Sequence, residues 1–250
     1  MRGIAVLAAV VLSSYGPAVA QGPAPVSGWM GGPEPFVRRD VRTGDAFLVL
    51  GTTAGLMLID RPAQQFLQAH RSKTLDRLAS VFRPMGTLVG YGGVTAGVLA
   101  AGLVSGDDDV KRAGGRLALG AISTLITDGI VKRLAGRARP DANEGPWDFD
   151  PMRRHQVSFV SGHAAEAFAL ATAISDDLHN TWASIAVYTF AAGTSWSRLN
   201  DDRHWSSDVF GGAMLGITTA KVINGRWEVL DITPPRFLLD PEARAAVTPR

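Results

Sequence analysis

From residue 45 onward the chain alternates long apolar runs with brief polar breaks, and this alternation constrains its fold most strongly. Few β-branched residues alternate with polar ones, so the pattern favours helices over strands. The sequence therefore predicts an all-α protein with a bundle of about six core helices. The apolar runs cover residues 46–59, 87–105, 117–131, 164–174, 182–196 and 209–222.

Three smaller elements complete this prediction. Asp60 and Arg61 followed by Pro62 are typical of a helix start, where proline is accepted at an early position. Residues 227–232 predict a short strand. An amphipathic helix is indicated by apolar residues at helical spacing, namely Leu75, Leu78, Ala79 and Phe82.

Composition excludes several classes of protein. With 46% hydrophobic and 19% charged residues among 250, the chain has enough apolar material to exclude disorder over most of its length. The absence of cysteine excludes disulfide scaffolds, cysteine nucleophiles and thiolate metal sites. A net charge of +2 gives no indication of a nucleic-acid partner. A soluble helical protein and a membrane-embedded one both stay open.

The N-terminal residues are predicted to lie outside the fold. Residues 1–20 have a positive start, an apolar run and a small-residue triplet ending at Ala20, which is typical of a signal peptide. An exported, periplasmic protein is expected. Residues 21–44 are rich in glycine and proline and predict an extended arm. The predicted helical domain covers residues 45–223, and residues 224–250 form a C-terminal tail.

A first cluster of functional interest contains Lys132 and Arg139, followed by Pro140. The two cations are seven residues apart, about two helical turns, so they would share one face if the helix continued. Pro140 disfavours helical geometry at the preceding residue and ends the element. Taken alone, the cluster is explained better by cations that complement a helix C-terminus.

A second cluster is Ser161, Gly162 and His163, directly before the run at 164–174. It lies where a helix N-terminus offers free backbone N–H groups, which bind anions readily. A serine cap with an incidental histidine explains the same residues.

The third cluster is Arg198, His204 and Asp208. His204 and Asp208 are four residues apart and would lie on one face of a helix. A carboxylate beside an imidazole fixes its tautomer and stabilises its cationic form. A surface ion pair is the alternative.

Together the three clusters predict phosphoryl transfer. Cations and a helix N-terminus can hold the negative charge of a transferred phosphoryl group. One histidine can attack phosphorus while the other protonates the leaving oxygen.

These clusters resemble, in order and spacing, the three-part signature of the type 2 phosphatidic acid phosphatase superfamily, which includes bacterial acid phosphatases and vanadium haloperoxidases. The resemblance spans residues 132–208 and implies that superfamily's six-helix core. One position departs from the pattern: Val160 stands where the second motif usually opens with proline.

The resemblance also implies a role for each residue. His204 would be the nucleophile that forms a phosphohistidine, Asp208 would orient it, and His163 would be the general acid and then the base. No cofactor or metal is implied, because cations take the place of magnesium. The residues implied to bind phosphate are Lys132, Arg139, Ser161, Gly162 and Arg198.

The implied function is a metal-independent phosphatase acting outside the cytoplasm on phosphate monoesters or lipid phosphates and diphosphates. The partner would be a phosphorylated small molecule or a lipid phosphate. A vanadate-dependent haloperoxidase and a non-catalytic phosphate-binding protein associated with a membrane are alternatives. Residues 141–159, with Trp147 and Phe149, could shape the substrate pocket or simply pack beneath the loop.

The sequence favours a soluble bundle, with association at a membrane surface possible. A spanning helix needs about 20 apolar residues, and only residues 87–105 approach that length. If the runs at 46–59, 87–105 and 117–131 all crossed a membrane after an exported N-terminus, Lys132 would lie in the cytoplasm. That topology conflicts with the usual topology of the superfamily. A membrane-embedded form stays open.

Overall fold

A computed structural model of the chain describes residues 39–152, 155, 157–229 and 238. The predicted signal peptide, most of the predicted arm and most of the predicted tail lie outside the described residues. The described chain is almost entirely helical, which confirms the all-α prediction. Its helices are α1 (Thr43–Ala69), α2 (Lys73–Phe82), α3 (Leu88–Ser105), α4 (Asp108–Ala135), α5 (Gly162–Leu178), α6 (Thr181–Asn200) and α7 (Ser206–Ile223).

The helix start predicted at Asp60–Pro62 is wrong, because α1 continues through Pro62 to Ala69. Asp60 is fully buried, and its carboxylate accepts hydrogen bonds from Ser207 on α7 instead of capping a new helix. A proline inside a helix removes one backbone hydrogen bond. Packing of α1 along α7 keeps the helix continuous across that position.

Two short strands join the beginning and the end of the described bundle. Strand β1 (Arg39–Asp40) precedes α1, and β2 (Trp227–Glu228) follows α7. The strands are parallel, with Arg39 paired to Trp227. The predicted strand at 227–232 is therefore confirmed for its first two residues, and residues 230–232 lie outside the described part of the chain.

The helices alternate in direction between two ends of the bundle. One end, here called the loop end, contains α2, residues 136–161 between α4 and α5, and residues 201–205 between α6 and α7. Gln64 near the end of α1 reaches it, because its side-chain amide donates to Asp202 at 2.8 Å. The other end, here called the strand end, contains β1, β2 and the short connections at 106–107 and 179–180.

Helices α5 and α7 form the centre of the bundle and depend on small residues for close contact. A Cβ atom added to Gly212 would lie 2.3 Å from the Ser161 carbonyl oxygen, and one added to Gly216 would lie 2.0 Å from that of Ala165. The glycines at the centre therefore allow the two backbones to approach each other. Gly93 and Gly97 on α3 differ, since an added Cβ would meet nothing within 4 Å.

The outer faces of α1, α3, α4 and α6 are apolar and exposed. Helices α1 and α3 are long and apolar enough to cross a membrane, and only 11% and 17% of their most apolar windows are buried within the protein. Val104 is 90% exposed and Leu58 is 72% exposed. Exposed apolar side chains on α4 and α6 include Ile122, Leu125, Ile126, Ile130, Leu134, Trp182, Ile185 and Phe190.

Candidate active site

The predicted residues of the first cluster approach the loop end by different routes. Lys132 lies in the last turn of α4, which ends at Ala135. Gly136 follows in the left-handed region with φ +58°, and an added Cβ would lie 1.7 Å from the Asp150 carbonyl oxygen. Glycine is therefore required at this turn. Arg139 lies beyond it on the loop, so the two cations do not share a helical face as the spacing predicts.

Lys132 is held by two acceptors. Its ammonium group donates to the Asp128 carboxylate one turn earlier and to the Val160 carbonyl oxygen, the latter at 2.7 Å. Arg139 is half-buried, and its Nε donates to the Val157 carbonyl oxygen at 3.2 Å. Both cations are thus fixed against the segment that leads into the second cluster.

The second cluster forms the N-terminus of α5, as predicted. Ser161 is the cap, and its fully buried hydroxyl accepts from the backbone N–H of Ala164. A Cβ on Gly162 would lie 2.9 Å from an Asp128 carboxylate oxygen and 3.2 Å from the Lys132 nitrogen. The absence of a side chain at Gly162 therefore lets Lys132 come close to the helix N-terminus.

His163 stands in the first turn of α5 among positive and titratable neighbours. The groups that interact with it electrostatically are Arg198, His204, Lys132 and Arg139. The fold thus brings together the two histidines and three of the cations that the sequence places in separate clusters. An anion bound among these groups would offset their mutual repulsion.

Arg198 enters the site from the last turn of α6. Its guanidinium is nearly buried, and Nη1 donates to Asp201 at 3.0 Å. Arg83 donates to the other oxygen of the same carboxylate at 2.9 Å. The Nε of Arg198 is buried without a partner among the described residues. A buried N–H without an acceptor is costly, and a phosphate oxygen would supply one.

His204 lies in the connection between α6 and α7 and is only 5% exposed. Its Nδ1 is 2.9 Å from the Ser158 carbonyl oxygen. Because a carbonyl can only accept, Nδ1 carries the proton, and Nε2 of the neutral ring keeps its lone pair. Burial lowers the pKa of the His204 imidazole, although Asp208 opposes this shift. This geometry puts the lone pair of the neutral ring on Nε2, which is the form that a nucleophilic role would require.

Asp208 lies four residues after His204, but the two do not share a helical face, because α7 begins only at Ser206. Its carboxylate Oδ2 accepts from the Trp205 backbone N–H at 2.8 Å and lies 3.7 Å from Nδ1 of His204. That separation is longer than a direct hydrogen bond. The direct partner of the imidazole is Ser158, and the predicted orienting role of Asp208 stays a prediction.

Sequence reasoning missed a fully buried arginine that is bonded to Asp208, close to His204. Arg137 donates to Asp208 Oδ1 at 2.7 Å and to Asp60 Oδ2 at 2.8 Å. It also donates to Ser207 and to the Pro146 carbonyl oxygen. Arg137 stands between Lys132 and Arg139 in the sequence, and a second arginine two residues before Arg139 was the only available signal.

The loop at 141–159 places its two aromatic side chains differently, and both roles that the sequence left open for it stay predictions. Phe149 is 38% exposed, with its ring centre 5.3 Å from the Arg137 guanidinium carbon. Trp147 is 58% exposed at the loop end. Arg153, Arg154 and Gln156 lie outside the described residues.

Within the described ranges, no group of three or more His, Asp or Glu side chains is arranged to hold a metal ion. The expectation that the site works without a metal or cofactor stays a prediction. The charged side chains present are cations that suit the oxygens of a phosphate group.

Comparison with curated proteins gives two bacterial relatives. The chain is 36% identical over 108 residues to a lipid A 1-phosphatase of Porphyromonas gingivalis, covering 41% of this chain and 23% of the relative. It is 30% identical over 107 residues to a lipid A 4'-phosphatase of Bacteroides thetaiotaomicron, covering 38% of this chain and 48% of the relative. The chain thus spans less than half the length of either relative.

Two solved structures share the fold. The Aquifex aeolicus protein LpxE has a TM-score of 0.52 and 22% identity, covering 66% of this chain and 94% of that one. A transmembrane PAP2-type phosphatidylglycerolphosphate phosphatase from Bacillus subtilis has a TM-score of 0.58 and 18% identity, covering 72% of this chain and 92% of that one. A sequence model of the PAP2 superfamily matches residues 113–228, the segment that contains all three clusters. By its motifs, its helical bundle and this match, the segment at residues 113–228 resembles the PAP2 superfamily, also called the type 2 phosphatidic acid phosphatase superfamily.

Proposed function

We propose that the protein is a metal-independent phosphatase that removes phosphate from a membrane lipid outside the cytoplasm through a phosphohistidine. One observation carries the proposal. The Nδ1 atom of His204 is held by the Ser158 carbonyl, so its Nε2 carries the lone pair. Lys132, Arg139 and His163 interact electrostatically with this imidazole. A nucleophile, an acid and a cationic cradle are the parts that phosphoryl transfer requires.

Binding would use the cations and the N-terminus of α5. Lys132, Arg139 and Arg198 would hold the non-bridging phosphate oxygens, and the backbone N–H groups after Ser161 would add donors along the helix dipole. The unpartnered Nε of Arg198 marks one donor that phosphate would satisfy. These groups also stabilise the additional charge that develops on the oxygens in the transition state.

The reaction would proceed in two displacements. The bound phosphate offsets the charge of the cations that disfavour protonation of His163. The Nε2 lone pair of His204 then attacks phosphorus, the bond to the lipid oxygen breaks, and protonated His163 gives its proton to the departing alkoxide. His163 then removes a proton from water, the water oxygen attacks phosphorus, and the phosphorus–nitrogen bond breaks. Inorganic phosphate leaves, His204 recovers its lone pair and His163 is again protonated.

A lipid substrate is supported by the comparisons and by the surface. Both curated relatives carry the name lipid A phosphatase, and both structural neighbours are PAP2-type proteins. The exposed apolar faces of α1, α3, α4 and α6 form a larger apolar surface than soluble proteins usually leave uncovered. A phosphorylated lipid would approach the site from the same bilayer.

Embedding in a membrane replaces the soluble bundle that the sequence favours. The exposed apolar faces run along the helices between the loop end and the strand end. Two of these helices pass the length and hydropathy requirement for a span. We therefore place the bundle in the bilayer, with the loop end and the strand end at opposite surfaces.

This placement bears on the predicted signal peptide. Thr43 begins α1 at the strand end, and α1, α3 and α4 run between the ends before Lys132 reaches the loop end. If the loop end faces outward, Arg39 and Thr43 lie on the cytoplasmic side. Residues 1–20 could then be neither a leader cleaved outside nor an uncleaved anchor that crosses the membrane, because either would put Arg39 on the outer side. A cleaved leader would reverse the orientation and put the site in the cytoplasm.

Activity is tested with purified full-length protein in detergent, with EDTA present. Lipid A, phosphatidic acid, phosphatidylglycerol phosphate and p-nitrophenyl phosphate are compared as substrates by phosphate release. We expect hydrolysis of at least one lipid phosphate, inhibition by vanadate, and an acid-labile protein-bound phosphate after rapid quenching with ³²P-labelled substrate. His204→Ala should lose both turnover and label.

The matched control is His179→Asn, which changes an exposed histidine at the strand end in a left-handed conformation that asparagine tolerates. It should keep full activity and labelling. Activity that survives His204→Ala, or that disappears only because EDTA is added, would contradict the proposed mechanism.

Orientation is tested by cysteine labelling, for which the absence of native cysteine gives a clean background. Lys73→Cys is exposed at the loop end, and Asp108→Cys is exposed at the strand end. In intact spheroplasts an impermeant maleimide should label only Lys73→Cys. Labelling of both variants from outside would refute embedding, and labelling of Asp108→Cys alone would refute an extracytoplasmic site.

A further inference from the structure

The most fully buried charged side chains in the described bundle are those of Asp60, Arg137 and Asp208, which are joined by ion pairs. All three side chains have no exposed surface. The Arg137 guanidinium lies between the two carboxylates, donating to Asp60 at 2.8 Å and to Asp208 at 2.7 Å. Asp60 comes from the middle of α1, and Asp208 from the first turn of α7. Three distant parts of the chain therefore meet directly behind the nucleophile.

The hydrogen-bond donors around Asp60 favour its ionised form and oppose its burial, which favours the protonated form. Its Oδ1 accepts from the Ser207 backbone N–H at 2.9 Å, and its Oδ2 accepts from the Ser207 hydroxyl at 2.5 Å as well as from Arg137. Ionised Asp60 and Asp208 with one guanidinium give the set a net charge of −1. This charge lies beside an imidazole that becomes cationic when it is protonated or phosphorylated.

Arg137 also fixes the direction in which Asp208 points. With Oδ1 held by Arg137 and Oδ2 held by the Trp205 backbone N–H, the carboxylate has both oxygens restrained. Oδ2 is the oxygen that lies 3.7 Å from Nδ1 of His204. The Arg137 main chain contributes as well, because its carbonyl accepts from the N–H of Ser158, the residue whose own carbonyl binds Nδ1.

We propose that Asp60 and Arg137 are positioning residues that set the charge and orientation of the Asp208–His204 pair, so that α1 takes part in catalysis without touching substrate. The inference rests on the proposed phosphohistidine mechanism. Without the Asp60 charge, the Arg137 cation is balanced by Asp208 alone. Asp208 then stabilises positive charge on His204 less well, and formation of the phosphohistidine becomes slower.

Other charged and titratable groups face His204 and must be kept constant in the test. They include Asp208 from α7, Lys132 from α4, Arg139 from the loop at 136–161, and His163 from α5. Asp60→Asn leaves all four in place and removes one buried negative charge at nearly the same volume.

The experiment compares full-length wild type with Asp60→Asn in detergent. The first measurement is the ¹⁵N chemical shift of His204 against pH in histidine-labelled protein, assigned with His204→Asn. The second is kcat and KM for the lipid phosphate that wild type hydrolyses best. We expect the His204 pKa to fall by about half a unit to one unit. We expect kcat to fall about tenfold, with KM within about twofold of wild type.

The matched control is Asp177→Asn, which breaks another arginine–aspartate pair, with Arg116, on the same helix as His163. Asp177 lies 14 residues after His163, about 21 Å along α5. This variant should lose stability without changing the His204 titration or kcat. Asp60→Glu restores the charge and should recover part of kcat and return the titration toward that of wild type.

A failure of this inference and a failure of the proposed function give different experimental results. An unchanged His204 titration and an unchanged kcat in folded Asp60→Asn would overturn the positioning role while the phosphatase stands. A wild type without phosphatase activity would overturn the proposed function, whereas the titration would still report the charge coupling. If Asp60→Asn does not fold, Arg137→Lys is measured instead. Lysine keeps the charge but cannot bridge both carboxylates and Pro146, so kcat should fall while KM is kept.

Discussion

The two ends of the bundle arrange charged residues differently. At the strand end, cations pair with separate carboxylates, as Lys111 does with Asp108 and Lys221 with Asp176. At the loop end, Lys132 and Arg198 also have carboxylate partners, but together with Arg139 they converge on one histidine, His163. An anion bound among converging cations would offset their mutual repulsion, and the isolated pairs at the strand end have no such need. The contrast favours the loop end as the place of the candidate site.

The largest expected effect follows from removing a cation from the loop end. Arg198→Ala should lower kcat/KM about 10²–10³-fold, because a preorganised donor to the transition-state charge is lost. The measurement is phosphate release from the best lipid substrate. Lys221→Ala at the strand end removes a cation from an ordinary ion pair and should retain activity. Equal losses in the two variants would contradict the distinction between the ends.

A second prediction concerns the centre of the bundle. Gly216→Ala would place a Cβ against the backbone of Ala165 and should destabilise the fold by about 1–3 kcal/mol. The measurement is thermal unfolding in detergent. Gly93→Ala on α3, where an added Cβ meets nothing within 4 Å, is the control and should leave the melting temperature equal or higher. Equal destabilisation by both variants would show that α5 and α7 do not depend on this close contact.

The third prediction is the acid dependence of the loop end. Burial lowers the pKa of His204 below its usual 6.5, so Nε2 keeps its lone pair in mildly acid solution. Protonation removes the nucleophile, and kcat/KM should therefore fall as pH decreases through this lowered pKa of the free enzyme, with a midpoint below about 6.5. The measurement is kcat/KM at low substrate concentration against pH. A midpoint above 6.5 that coincides with the ¹⁵N titration of His204 would contradict the prediction.

The smallest effect is expected for an exposed aromatic residue. Trp147→Ala at the loop end should raise KM for the lipid phosphate a fewfold and leave p-nitrophenyl phosphate turnover unchanged, because only the lipid reaches the loop with its acyl region. Trp182→Ala is the matched control, since Trp182 is 76% exposed at the strand end. If both substrates or both variants respond alike, Trp147 has no specific contact with lipid.

Local sequence patterns predicted the helices, and the candidate residues that they singled out come together in the fold. The cap at Ser161 depends on residues within a few positions of one another, so a linear sequence shows it. The contact between Asp60 and Arg137 joins residues 77 positions apart. No local periodicity encodes such a contact, and for this reason the helix start at Asp60 was wrong and Arg137 was overlooked.

The exposed apolar surface of the bundle escaped sequence reasoning for a different reason. Asp128 on α4 and Glu166 on α5 interrupt apolar runs and argue against spanning helices when runs are counted along the chain. In the structure both residues are turned inward and buried, while Ile122, Leu125 and Ile126 cover the outer face of α4. A count along the sequence cannot separate the inner face of a helix from its outer face.

The pairing of β1 with β2 brings the beginning and the end of the described helical bundle together. Because Arg39 and Trp227 are register partners, the chain enters and leaves the bundle at the same place, on the side away from His163 and His204. The continuous path could therefore be cut and rejoined elsewhere. A circular permutant that links residue 229 to residue 39 and opens at Gly106 would preserve every contact at the loop end, and a reporter domain fused at residue 39 would not obstruct substrate.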